Sequence, residues 1–237
     1  NTPLERINVN FPRPVLEDLR RLVPAKRRSE VIARATAREL RRLKLAAVFE
    51  TLDRNPAWQA EHYPHLADGT ASDLFVARLR ASGTYSRAPV TEQSQPGERR
   101  GVSDYLLDTD VLIRCLRGVA ETLTFAQQLT EQGDLHTSVW SHLEIWLLTQ
   151  PNDQKQTQDF LTPFIAHPVN EEIARRAAEL LKLRGETEAP LTYAEAVIAA
   201  TALHHGLILV TYNTKNLETL APLRMVNSNA SFSPDSV

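Results

Sequence analysis

The chain has 237 residues, 42% of them hydrophobic, which is enough to bury one large core or two small ones. Its lone cysteine, Cys115, excludes an intrachain disulfide and predicts a reducing, cytoplasmic setting; its most apolar stretch, residues 194–210, is broken by Glu195 and His204-His205-Gly206, which excludes a bilayer span. The net charge of −2 hides a division: residues 1–45 carry twelve basic against five acidic side chains, a net +7, and the rest carries −9. Such asymmetry predicts a polyanion partner for the N-terminal part.

Arg6-Ile-Asn-Val-Asn-Phe11 alternates strictly, with Ile7, Val9 and Phe11 on one face and Arg6, Asn8 and Asn10 on the other, the pattern of a short half-buried strand. Pro14 suits the first turn of a helix that runs to about Val23 and ends before Pro24. Ser29 is an N-cap candidate for a second helix whose stripe includes Val31, Ile32, Ala35, Leu40, Leu43 and Val48. One strand and two helices cannot bury a core alone, so residues 1–50 are expected to dimerise. INVNF, LEDLRRLVP and RRSEVIARATARELRRL, in this order, resemble the ribbon-helix-helix DNA-binding family. The resemblance implies homodimers or higher assemblies that lay a paired ribbon in the major groove of operator DNA. Arg6, Asn8 and Asn10 would then face base edges, and Ser29 would lie near a phosphate. The alternative reading is a basic helical hairpin used for dimerisation only.

Residues 51–83 lack a strong period and have no core of their own, so they must lie on something else. Asn55-Pro-Ala-Trp58 and Tyr63-Pro-His-Leu66 read as extended stretches with aromatic anchors, and Leu74-Phe-Val-Ala-Arg-Leu-Arg80 reads as a short helix. Trp58, YPHL and FVARLR resemble the tails of antitoxins that wrap a toxin and place an arginine in its acidic pocket. Arg80 and Arg78 are the candidates for that arginine, and either also reads as a surface side chain. Residues 84–103 have the composition of a flexible linker.

From residue 104 to 237, strand-like and helix-like stretches alternate, which predicts a doubly wound, mainly parallel α/β sheet. Strands are expected at 105–108, 135–139, 164–169, 207–211 and 223–226, with helices at 171–184 and 194–205 closed by Gly185 and Gly206. Tyr105-Leu-Leu-Asp108 is an apolar run that ends in a carboxylate, and ligands bind at such carboxyl ends. Glu144 and Glu195 are two further candidates. Each acid also has a structural reading: Asp108 as a helix cap, Ser141-x-x-Glu144 and Thr192-x-x-Glu195 as capping boxes.

YLLDTDVLI, TSVWSHLEIW and EAVIAATALHHGLILVTYNTKNL resemble, in this order, the motifs of PIN-domain ribonucleases over residues 104 to about 228. The fold class implied is PIN-like α/β with an N-terminal ribbon-helix-helix segment and an extended antitoxin tail. The whole chain then resembles a VapBC-type toxin–antitoxin fusion. Asp108, Glu144 and Glu195 would bind Mg²⁺ (or Mn²⁺) to cleave an RNA substrate, with Asp110 and Asn213 as possible second-layer groups. Two departures stand out: the family usually has Asp where this chain has Glu195, and Asn213 and Asn216 are neutral where a fourth acid is common. The extra methylene of Glu195 displaces the carboxylate by roughly 1.5 Å. An alternative reading is a catalytically decayed PIN protein that acts as a dimeric DNA-binding repressor.

Overall fold

The computed structural model describes residues 7–66, 76, 77, 80, 104–184, 191–214, 217, 220 and 223–227. The proposed linker and Arg6, Arg78, Gly185 and Asn216 lie outside the described residues. Contacts divide the chain into two compact units, Asn1–Leu40 and Arg41–Val237.

In the first unit, residues 7–12 carry no regular structure where a strand was expected. A ribbon made of one strand from each of two chains has no partner strand within a single chain. Helix α1, Arg13–Leu22, has a proline in its first turn and ends where Val23 turns extended before Pro24. A 3-10 turn over Ala25–Arg27 leads into α2, Arg28–Arg54. Ser29 therefore lies in the first turn of α2 rather than at its cap, because the 3-10 turn moves the helix start forward. The Arg28 guanidinium donates to the carbonyls of Arg20 and Val23, both at 3.0 Å, and so satisfies the open end of α1. None of the described residues up to Leu40 is buried.

In the second unit, five parallel strands stand in the order β3-β2-β1-β4-β5. They are β1 (Tyr105–Leu107), β2 (Leu135–Ser138), β3 (Ile165–His167), β4 (Ile208–Thr211) and β5 (Met225–Asn227). β1, β2 and β4 are buried along their whole length, as expected of parallel strands covered on both faces. The connecting helices are α3 (Thr109–Leu116), α4 (Ala120–Gln132), α5 (Val139–Leu148), α6 (Gln154–Leu161), α7 (Glu171–Arg184) and α8 (Tyr193–His205). Gly206 ends α8 at φ 67°, the left-handed conformation that closes a helix.

Strand alternation splits the core in two. Tyr105, Leu107, Ile208 and Val210 face one layer, with residues from α3, α4, α5 and α6; Leu106 and Leu209 face the other, built from α7 and α8. The first layer also contains Leu45, Phe49, Leu52, Trp58, Tyr63 and Leu66, which lie on or just after α2. At roughly 1.5–3 kcal/mol for each buried large side chain, these six contribute on the order of 10 kcal/mol, comparable to the stability of a whole domain. Residues 55–66 form turns rather than the extended stretches expected, including a 3-10 turn at Pro64–Leu66, because their rings fold back onto this layer.

The chain builds outward from β1 through β2 to β3, then returns to β4 on the opposite side of β1. The carboxyl ends of β1 and β4 thus flank the point where strand order reverses, the place where open α/β sheets bind ligands.

Candidate active site

Asp108 follows β1 and caps α3: its side chain accepts the Thr109 N–H at 2.7 Å, and its own N–H donates to the Val210 carbonyl at 2.9 Å. Glu144 comes from α5, whose cap is Ser138 and not Ser141, so the capping-box reading of Ser141 and Glu144 does not hold. Freed from that task, the Glu144 carboxylate turns into the sheet edge, where the Thr109 hydroxyl donates to it at 2.5 Å.

Arg80 lies between these two acids. Its Nε and Nη2 donate to Glu144 Oε1 and Oε2 at 2.9 and 3.0 Å, and Nη2 also donates to Asp108 Oδ1 at 2.8 Å. The Glu144 contact is the two-pronged arrangement that a planar guanidinium makes and an ammonium cannot. Arg80 is 5% exposed, Asp108 1% and Glu144 3%. Burial alone would pull the Arg80 pKa down, but the Asp108 and Glu144 charges override it and hold the pKa well above its usual value. The guanidinium therefore stays charged.

Thr211, at the end of β4, connects the remaining groups. Its hydroxyl lies 2.9 Å from Asp108 Oδ2 and 3.2 Å from Asp110 Oδ2, and it accepts the Asn213 N–H at 3.0 Å. Asp110 also accepts the N–H groups of Val111 at 2.6 Å and Tyr212 at 3.0 Å. The Tyr212 ring is fixed by a 2.6 Å hydroxyl contact with Thr122 and by the Arg114 guanidinium, 3.7 Å from its centroid.

Glu195 joins the network through Asn213, whose Nδ2 donates to Oε1 at 2.8 Å. Its other oxygen, Oε2, accepts the Thr192 N–H at 2.8 Å and the Thr192 hydroxyl at 2.9 Å, completing a capping box for α8. Both Glu195 oxygens are thus engaged by neutral donors.

One network therefore contains Arg80, Asp108, Asp110, Glu144, Glu195 and Asn213. Asn8 and Asn10 are exposed in residues without regular structure, and Ser29 is exposed on α2. Sequence reasoning missed Thr109 and Thr211 as site groups and saw Thr192 only as a cap. The one available signal was a threonine directly after an acid or at the end of an apolar run.

The donor set is all oxygen, which suits Mg²⁺ or Mn²⁺. A single nitrogen, Arg80 Nη2, reaches both Asp108 and Glu144, so one cation can serve the two carboxylates. Glu195 is held by two hydrogen bonds from Thr192 to Oε2 and one from Asn213 to Oε1. Among the described residues, no group of three or more His, Cys, Asp or Glu is arranged to hold a metal ion. The fit is therefore to two carboxylates. Cys115 is wholly buried and burial pushes its thiol pKa up, so it supplies no nucleophile.

Residues 105–221 match the PIN domain family model. Ribonuclease VapC10 of Mycobacterium tuberculosis is 32% identical over 108 residues, covering 46% of this chain and 81% of that protein. Among solved structures, VapBC2 from Rickettsia felis bound to a promoter DNA fragment aligns with a TM-score of 0.48 at 16% identity, over 52% of this chain and 98% of that one. A toxin–antitoxin complex from Klebsiella pneumoniae aligns with a TM-score of 0.45 at 25% identity, over 52% and 97%.

Proposed function

The chain belongs to the PIN-domain family, and from that premise we propose that it is a toxin–antitoxin fusion whose endoribonuclease domain is restrained by its own N-terminal antitoxin segment. The observation that carries this reading is Arg80, buried between Asp108 and Glu144. In the nuclease state Asp108 and Glu144 would hold Mg²⁺ or Mn²⁺, with Glu195 and Asn213 behind them. A metal bound there would supply a water of lowered pKa and neutralise charge on an RNA phosphodiester. The protein's own part is to orient the acids through Thr109 and Thr211.

With Arg80 in place, the guanidinium satisfies the charge that a metal would otherwise balance. Two carboxylates ~5 Å apart repel by about 3 kcal/mol at an effective dielectric of 20, so the pocket requires one cation or the other. The tether keeps Arg80 at an effective concentration on the order of millimolar. Residues 1–50 supply the autorepressor function: two chains pair their first strands, and Arg6, Asn8 and Asn10 read operator DNA while Ser29 meets a phosphate. The complete lack of buried side chains among the described residues up to Leu40 supports a need for that second chain.

The test is Arg80→Ala in the full chain. With Mn²⁺ it is expected to cleave RNA at least tenfold faster than the parent chain. Its Tm should be lower without metal, because two buried acids lose their cation, and should recover as Mn²⁺ is added. A second reading, a decayed nuclease retained as a DNA-binding repressor, is favoured by the occupation of both Glu195 oxygens by Thr192 and Asn213. No cleavage and no Mn²⁺ response from Arg80→Ala would decide for it.

A further inference from the structure

Between residues 41 and 80 the chain meets the PIN domain in two chemically different ways. The first contact is a core. Trp58 and Tyr63, each 1% exposed, stack with centroids 4.6 Å apart at 12°. Trp58 Nε1 donates to the Thr157 hydroxyl at 3.1 Å and the Trp58 N–H to the Leu116 carbonyl at 3.0 Å. The Tyr63 hydroxyl accepts the Gln150 N–H and donates to Asp153 Oδ2, both at 2.9 Å. Burial and Asp153 push its pKa up, so it remains a donor. The second contact is ionic: Arg80 touches Asp108 and Glu144 through three hydrogen bonds.

The two contacts differ in what could replace them. A small cation from solution can take the place of a guanidinium on carboxylate oxygens. Nothing in solution replaces two stacked rings whose polar atoms are matched to Thr157, Gln150 and Asp153.

We infer that release from inhibition is confined to the Arg80 end: Arg80 leaves in exchange for a divalent cation, while residues 45–66 stay as a permanent part of the domain's core. This rests on the reading of Arg80 as the inhibitor and specifies how the inhibitor works. The removable part of the antitoxin is then the Arg80 end, and the anchor at residues 45–66 belongs to the nuclease.

Hydrogen exchange on the full chain tests the division, with the parent protein, the parent plus Mn²⁺, and Arg80→Ala. The peptide that spans Arg80 should gain exchange with Mn²⁺ and in Arg80→Ala, while peptides within 45–66 change by less than about twofold. Exchange that rises tenfold or so across 45–66 together with the Arg80 peptide would overturn the division, since the segment would then leave as one body. No gain at Arg80 with Mn²⁺ would overturn the cation exchange. Trp58→Ala should lower protection in β1 and α3, and unchanged protection there would remove the anchor from the core. RNA cleavage by Arg80→Ala is read in parallel. If cleavage is absent and the exchange pattern holds, the nuclease reading falls and the division stands; if cleavage is present and 45–66 opens, the reverse is true.

Discussion

Thr211 has one hydroxyl proton and two carboxylates within reach, Asp108 at 2.9 Å and Asp110 at 3.2 Å. It is fully buried, so no water replaces its hydroxyl if it is lost. Thr211→Val keeps the shape and removes the donor, leaving buried oxygens short of a partner at a cost of about 1–3 kcal/mol. In an Arg80→Ala background, Thr211→Val should weaken Mn²⁺ binding at least tenfold by calorimetry, and Thr211→Ser should restore it. Equal binding by the valine and serine variants would reduce Thr211 to a packing residue. The sequence made the acids legible, because Asp108 ends an apolar run, Glu144 follows the second strand, and Glu195 lies in the motif that precedes the fourth. It could not show how their oxygens are satisfied. That Glu195 gives one oxygen to Thr192 and the other to Asn213 depends on where α8 and β4 end in space, and local spacing does not fix that.

Among the elements, the loop between α3 and α4 and the joint at β3 are the two points most open to test. Gly118 has φ 68°, and a Cβ there would lie 2.6 Å from Pro56 Cγ and 2.8 Å from the Leu52 carbonyl oxygen. Gly118→Ala combines left-handed backbone strain with a backbone clash, so it should lower the stability of the full chain by about 2–3 kcal/mol in urea titrations. A loss under ~0.5 kcal/mol would mean that the loop and residues 52–56 separate easily. At the other edge, His136 of β2, His167 of β3 and His205 of α8 stack in series, with centroids 4.9 and 3.8 Å apart and a 2.7 Å contact between His136 Nδ1 and His167 Nε2. Burial lowers both His136 and His167 from 6.5 to about 4; at His136 the Asp134 charge opposes the shift while His205 and Arg41 add to it, and at His167 the neighbouring histidines add to it. The unfolded chain therefore binds more protons between these values, and stability should fall as pH drops from about 6.5 toward 4. His136→Gln should flatten that slope in thermal melts, and an unchanged slope would place the proton uptake elsewhere. The strands and α7 were legible to within a residue or two, because parallel strands are short apolar runs and α7 is strongly periodic. The full length of α2 and the turns at 55–66 were not, since burial against a distant layer sets them.

At the scale of the molecule, charge and burial point the same way. Residues 1–45 carry a net charge of +7 and the remainder −9, and that acidic remainder holds Asp108 and Glu144 around the Arg80 guanidinium. Ile7 is 77% exposed and Val9 55%, although they alternate with Asn8 and Asn10 as a one-faced strand would. In the proposed ribbon this exposed apolar face would be covered in the paired dimer, and a two-fold arrangement would present both polar faces to one DNA groove. The chain should therefore sediment as a dimer or larger at micromolar concentration. Val9→Glu should shift it toward monomer, because pairing would bury a carboxylate opposite its own copy. DNA binding should be lost in the same variant, since one chain alone makes only half of the base and phosphate contacts, and the parent's affinity should fall steeply as salt rises. The PIN domain should be untouched: the Tm of Val9→Glu should stay within a degree or two of the parent if melting reports the second unit. A Val9→Glu chain that remains dimeric and binds DNA as before would show that the association runs through another surface, and the groove-facing ribbon would then have no support.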